Sequence, residues 1–210
     1  MLFDRKMISL GAIEINLIYF QDFLPEDYLH LLNEPDRKRL SSFNHIKRKR
    51  EFVATRLMKQ EIYGDKHILY KSHGAPYIED EGYISISHSL NCSAIAVCPD
   101  FAIGLDLEKR SPKAKRLNKK FLNAQELEFL DAENESTMTQ AWSCKEAMYK
   151  LAGRKKIIFK SDLLLKSKVN DCWEGEIINL SEKFFVKLLS IPEKQMIITI
   201  NTQGIERITY

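Results

Sequence analysis

The segment Ile103-Gly104-Leu105-Asp106-Leu107-Glu108 sets two acids two residues apart inside a run that otherwise reads as a buried strand. Residues i and i+2 of a strand share a face, so Asp106 and Glu108 point one way while Ile103, Leu105 and Leu107 point the other. An edge strand with one wet face shows this alternation. So does a strand whose acids flank a cation, and oxygen-only ligands favour a hard ion such as Mg2+ or Mn2+. The stretches on either side bear on the choice.

At 210 residues, with 44% hydrophobic and 29% charged, the chain has material for one domain or two small ones. A net charge of +3 is too small to point to nucleic acid, so any site for an anionic ligand must be local. No apolar run approaches the roughly 18 residues of a membrane span. Residues 1–9 carry a basic pair but no signal-peptide core. A cytoplasmic protein without membrane association is expected. Cys92, Cys98, Cys144 and Cys172 form no C-x-x-C pair and are expected to be reduced, buried thiols.

Ile8 to Phe20, rich in Ile and Leu, reads as one strand kinked at Gly11. Leu24–Leu32 and Pro35–Phe43 read as short helices, each with proline where a first turn tolerates it. His45 to Gly64 has apolar residues at Phe52, Val53, Leu57, Met58 and Ile62, which is helical spacing, and Gly64 can supply a left-handed stop. Lys47, Arg48, Lys49 and Arg50 enter this helix and Arg56 follows. The run suits a solvated face. It also suits a phosphate clamp, because guanidinium forks match phosphate oxygens.

Short strands are expected at 67–70, 77–78, 83–87 and 92–97. The turn Ser72-His73-Gly74-Ala75-Pro76 leaves backbone groups open to a ligand. Ser85, Ser87, His88 and Ser89 cluster at a strand end, where His88 alone reads as a hydrogen-bonded structural histidine. Beyond the acidic strand come a basic connection, a helix over 123–132, and a second long helix over 137–151 closed by Gly153. Trp142, Glu146 and Lys150 form one column on that helix. Apolar runs from 163 to 200 read as strands. The order strand, long helix ending in glycine, then strands occurs twice. It predicts an α+β fold of two similar lobes, 1–100 and 101–210, with a ligand cleft between them.

The motifs H-G-A-P-Y-I (73–78), I-S-I-S-H-S (84–89), I-G-L-D-L-E (103–108) and W-S-C-K-E-A-M-Y-K (142–150), in this order and at these separations, resemble those of 4'-phosphopantetheinyl transferases of the surfactin-synthetase-activating type. The resemblance implies transfer of the phosphopantetheine arm of coenzyme A to a serine of an acyl or peptidyl carrier protein by a monomeric, Mg2+-dependent enzyme. It implies metal ligation by Asp106, Glu108 and Glu146, and catalytic roles for Glu146 and Lys150, with Lys150 on the diphosphate. It further implies coenzyme binding by Ser87 and His88 at the phosphates, by the backbone of Gly74, Ala75 and Pro76 at the adenine, and by Arg56 or Arg50 of the basic helix. Many relatives have lysine where this chain has Ala75. A non-catalytic coenzyme A or nucleotide-binding module would keep the basic helix and His88 without needing three carboxylates. An RNA-binding protein would need aromatic stacking motifs that the sequence lacks.

Overall fold

The computed structural model describes residues 2–153, 156–180 and 182–209. The chain starts with a hairpin of β1 (Phe3–Leu10) and β2 (Ile13–Phe20). The single kinked strand expected over 8–20 is therefore two strands. Gly11, at φ +60°, lets the chain reverse instead of bend. A 3-10 turn at Pro25–Leu31 leads to α1 (Glu34–Ser41) and α2 (Ile46–Tyr63). Asn33 caps α1 by accepting from Asp36 N at 2.8 Å. The two-residue strands β3 (Leu69–Tyr70) and β4 (Pro76–Tyr77) bracket the 71–75 turn. β5 (Tyr83–Ser89) and β6 (Cys92–Cys98) complete a first sheet of order β1-β2-β6-β5.

The second half begins with the acidic strand β7 (Leu105–Lys109). The basic connection after it is itself a helix, α3 (Pro112–Phe121), with proline in its first turn and lysines in its last. Then follow α4 (Ala124–Phe129), α5 (Glu135–Leu151), and strands β8 (Leu163–Val169), β9 (Cys172–Asn179), β10 (Glu182–Glu193), β11 (Met196–Asn201) and β12 (Glu206–Arg207). The second sheet runs β7-β11-β10-β9-β8, with β12 on β10. The fold is α+β, with helices and sheets in two regions. In each region the strand before the helices pairs with the last long strand of its half, β2 with β6 and β7 with β11. Among the described residues no helix is long and apolar enough to cross a membrane.

Alternation along the strands builds three apolar layers. Ile18, Phe20 and Ile95 of the first sheet meet Phe52, Val53 and Met58 of α2. The opposite face, with Ile15, Leu17 and Ala94, packs on Leu105, Leu107, Ile198 and Ile200 of the second sheet. The far side of the second sheet takes α5 through Met138, Ala141, Cys144 and Met148. The two halves thus share a core. Cys92, Cys98 and Cys144 are buried free thiols as expected, but Cys172, at the start of β9, is exposed.

Two glycines fix how the second half closes. A Cβ on Gly104 would lie 2.2 Å from Ala147 O, so only glycine lets α5 come this close to the start of β7. Gly153, at φ +76°, ends α5 in the left-handed region, as Gly64 at +56° ends α2. Asn201 pins the approach to β7: its Oδ1 accepts from Gly104 N at 2.8 Å and its Nδ2 donates to Ala102 O at 2.9 Å.

Candidate functional site

The edge of β7 not paired with β11 faces β5 of the other half. Instead of a backbone ladder, serine hydroxyls bridge the two strands. Ser85 Oγ accepts from Leu105 N at 2.9 Å, and Ser87 Oγ accepts from Leu107 N at 3.1 Å. Serines at i and i+2 of a strand share a face, so the I-S-I-S pattern presents both hydroxyls to β7. Ser87 also donates to Asp106 Oδ1 at 3.2 Å. The family resemblance implies Ser87 at the coenzyme phosphates; in the structure its hydroxyl lies at the seam between the halves, beside Asp106 and Lys150.

Asp106 is buried at 4% exposure on the face of β7 opposite Leu105 and Leu107, toward α5. Ser143 donates to its Oδ2 at 2.9 Å. The Lys150 ammonium lies 3.1 Å from its Oδ1, donates to Leu105 O, and reaches Ser87 Oγ at 3.1 Å. Glu108 shares the face. Trp142 Nε1 donates to its Oε1 at 2.8 Å. Burial first, and the Asp106 carboxylate second, hold the Glu108 acid above the usual carboxylate range, partly offset by the Trp142 hydrogen bond. Glu146, half-buried, stands on α5 three residues after Ser143 and four before Lys150. Helical spacing puts it on the same face as these two and Trp142.

These three carboxylates offer hard oxygen donors of the kind Mg2+ or Mn2+ takes. Among the described residues no three His, Cys, Asp or Glu side chains are gathered closely enough to hold one ion, and the Lys150 ammonium sits on the Asp106 oxygen. The donor chemistry fits a hard divalent cation, with Lys150 supplying the positive charge in this conformation.

On the first half, a cavity of about 130 Å³ is lined by Arg39, Arg48, Arg56, Thr55, Tyr70 and His88, with Gly74 and Pro76 of the turn at its edge. Arg56 is held from several sides. Its guanidinium lies 4.1 Å from the centroid of the Phe52 ring, and its Nη2 donates to Tyr70 OH at 3.2 Å. Its Nε is 2.9 Å from Asp36 Oδ1, but the N–H is not aimed at that oxygen, which leaves a buried donor without an acceptor. Arg39 stacks 3.7 Å from the Tyr70 centroid. Arg50 does not reach this cavity. It pairs with Asp22 at 2.6 Å and donates to Phe23 O at 2.8 Å. Arg48 of the same basic run lines the cavity, and so does Arg39 of α1, which the sequence does not single out. The Arg48 signal is present in the helical phase, since it lies on α2 two turns before Thr55.

Ala75 lies on the other side of the turn. With His73, Pro76, Ile103, Lys150 and Gly153 it lines a groove of about 550 Å³ between the halves, and Pro76 borders both spaces. His88, near the end of β5, lines the cavity. Its Nδ1 is enclosed without a hydrogen-bond partner. Burial, then the positive charges of Arg48, Lys150, Arg56 and Lys47, push the imidazole down to about 3. Burial and the surrounding cations together favour the neutral ring.

A stability prediction follows for His88. Its folded value lies below the ordinary value of about 6.5, so the unfolded chain binds the proton first as pH falls. The stability that His88 contributes should be present above about pH 6.5 and be lost progressively as pH falls toward about 3. In urea titrations His88→Asn should lose less stability than the wild type between pH 6.5 and 4; parallel acid limbs would contradict the assignment.

A family model of the 4'-phosphopantetheinyl transferase superfamily matches residues 102–197, from the approach to β7 into β11. The matched stretch carries Asp106, Glu108, Glu146 and Lys150. It does not reach the cavity on the first half. A comparison with curated proteins returns no match.

Proposed function

We propose that this chain transfers the 4'-phosphopantetheine arm of coenzyme A to a serine hydroxyl of an acyl or peptidyl carrier protein, as a monomer in the cytoplasm and in the manner of the surfactin-synthetase-activating type. The observation that carries the reading is the meeting of two sites. A cavity of three arginines and a histidine lies on one half and the acidic face of β7 on the other, with Lys150 and Ser87 at the seam and the Lys150 charge felt at His88 of the cavity. A ligand with separate phosphates at its two ends suits that arrangement. The 3'-phosphate would enter the cavity of Arg39, Arg48, Arg56 and His88, where guanidinium forks match phosphate oxygens. The adenine would lie against Gly74, Ala75 and Pro76. Arg50 is left out of this assignment.

Asp106, Glu108 and Glu146 would hold Mg2+ or Mn2+, which when bound supplies charge neutralisation at the diphosphate. Lys150 would exchange its contact with Asp106 for a diphosphate oxygen and stabilise the charge that grows there. As the serine oxygen bonds to phosphorus, the bond to adenosine 3',5'-bisphosphate breaks and the serine proton goes to Glu146. The two halves, 1–100 and 101–210, would each supply one wall of the cleft. Under this reading neither half binds the coenzyme alone.

The test is incubation with coenzyme A, Mg2+ and an apo carrier protein, followed by mass spectrometry of the carrier. The expected result is a gain of one phosphopantetheine group on the carrier. Coenzyme A binding with an unchanged carrier mass would leave the alternative, a non-catalytic coenzyme-binding module.

A further inference from the structure

Ser143 lies wholly within the protein at 0% exposure, on the α5 turn that faces β7. A buried hydroxyl needs a partner, and this one is Asp106 Oδ2 at 2.9 Å. The other carboxylate oxygen, Oδ1, receives Ser87 at 3.2 Å and the Lys150 ammonium at 3.1 Å. The two oxygens of Asp106 thus have separate duties: one is held by a neutral helix hydroxyl, and the other faces a cation. Neighbouring groups keep the helix hydroxyl in place. Gly104 permits the close approach of α5 to β7, and the Lys145 side chain, two residues on, is anchored at 0% exposure.

We infer that Ser143 is a positioning residue that restricts Asp106 to ligation through Oδ1 alone and thereby selects a small octahedral cation over Ca2+. This rests on the reading that Asp106 is a metal ligand. Ca2+ takes six to eight oxygens and often two from one carboxylate, whereas Mg2+ and Mn2+ suit single-oxygen contacts in an octahedron. A hydroxyl engaging Oδ2 disfavours the two-oxygen mode without touching the ion. The serine acts through the carboxylate, as outer partners of metal ligands commonly do.

The experiment measures Mn2+ binding by electron paramagnetic resonance, and Ca2+ by competition against it, with the full chain and saturating coenzyme A. The proteins are wild type, Ser143→Ala, Ser143→Thr and Asp106→Asn, each checked for folding by circular dichroism. Ser143→Ala should weaken Mn2+ by about tenfold, at the low end of the loss for an outer partner. Ca2+ should weaken less or tighten, so the Mn2+ to Ca2+ preference falls. Ser143→Thr keeps a hydroxyl and should retain the wild-type preference. A preference unchanged in folded Ser143→Ala, while Asp106→Asn abolishes Mn2+ binding, overturns the role of Ser143 and leaves the metal reading intact. Mn2+ binding that survives Asp106→Asn overturns the metal reading and this inference with it. The ratio of two ions in one variant is insensitive to a general loss of stability, which a merely structural serine would cause.

Discussion

Asp106→Asn is expected to lower the proposed transfer by at least about 10³-fold, roughly 4 kcal/mol in activation free energy, while leaving the fold intact. Asparagine has almost the same shape and its amide oxygen can still accept from a serine hydroxyl. It removes the charge that pairs with Lys150 and is proposed to meet the metal. A neutral amide oxygen is a far poorer ligand for a hard cation than a carboxylate. The rate would be followed as mass gain on the carrier protein at limiting Mg2+, beside circular dichroism. A folded variant within tenfold of wild type would remove Asp106 from the metal set.

The second large effect concerns stability and lies away from the proposed chemistry. Lys145, at 0% exposure, pairs with Glu126 at 2.7 Å and donates to Phe121 O at 2.8 Å and Phe159 O at 2.9 Å. Glu126 in turn accepts from Leu165 N at 2.8 Å and Asn123 N at 2.7 Å, the latter closing the capping box of α4. One buried ion pair therefore ties together the end of α3, the start of α4, α5, the 156–162 segment and β8. Burial lowers the Lys145 ammonium below its ordinary value, and Glu126 opposes that shift. Lys145→Met should leave Glu126 buried without its counter-charge and cost about 3–5 kcal/mol. For a chain of this size that is a fall of roughly 6–20 °C in melting temperature. Glu126→Leu combined with Lys145→Met should regain only part, because Leu165 N and Asn123 N would still lack acceptors. A single variant melting within 2 °C, on the same scale, of wild type would show that the pair contributes little.

Legibility in the sequence followed the strength of local periodicity. The two long helices were placed within two residues of their ends, because 3.6-residue apolar spacing and a terminal glycine act over short distances. The acidic strand was read in both position and facing, because strand alternation needs no knowledge of the partner. The first hairpin reads as one strand because Ile8 to Phe20 is rich in Ile and Leu on both sides of Gly11-Ala12, and that turn is a weak signal. α3 was read as a connection because its lysines mask the apolar side formed by Ala114 and Phe121.

The site divides along the same line. Sequence alone determined that Asp106 and Glu108 share a face, that Trp142, Glu146 and Lys150 share a helix column, and that an arginine-rich helix precedes them, since each is a relation within one element. Tertiary structure decided the rest. Arg48 and Arg50 are two positions apart in a basic run, yet about 200° of helical rotation sends one into the cavity and the other to Asp22. Ser87 reads as a strand-end hydroxyl, but bridges to β7 because that strand's free edge lies beside it. Ser143 falls within the 142–150 motif, but nothing local shows what it meets. Its partner lies 37 residues away and is reached only because a glycine lets a helix close onto a strand. Local periodicity fixes the direction of a side chain relative to its own axis; what waits in that direction depends on contacts between elements far apart in the chain.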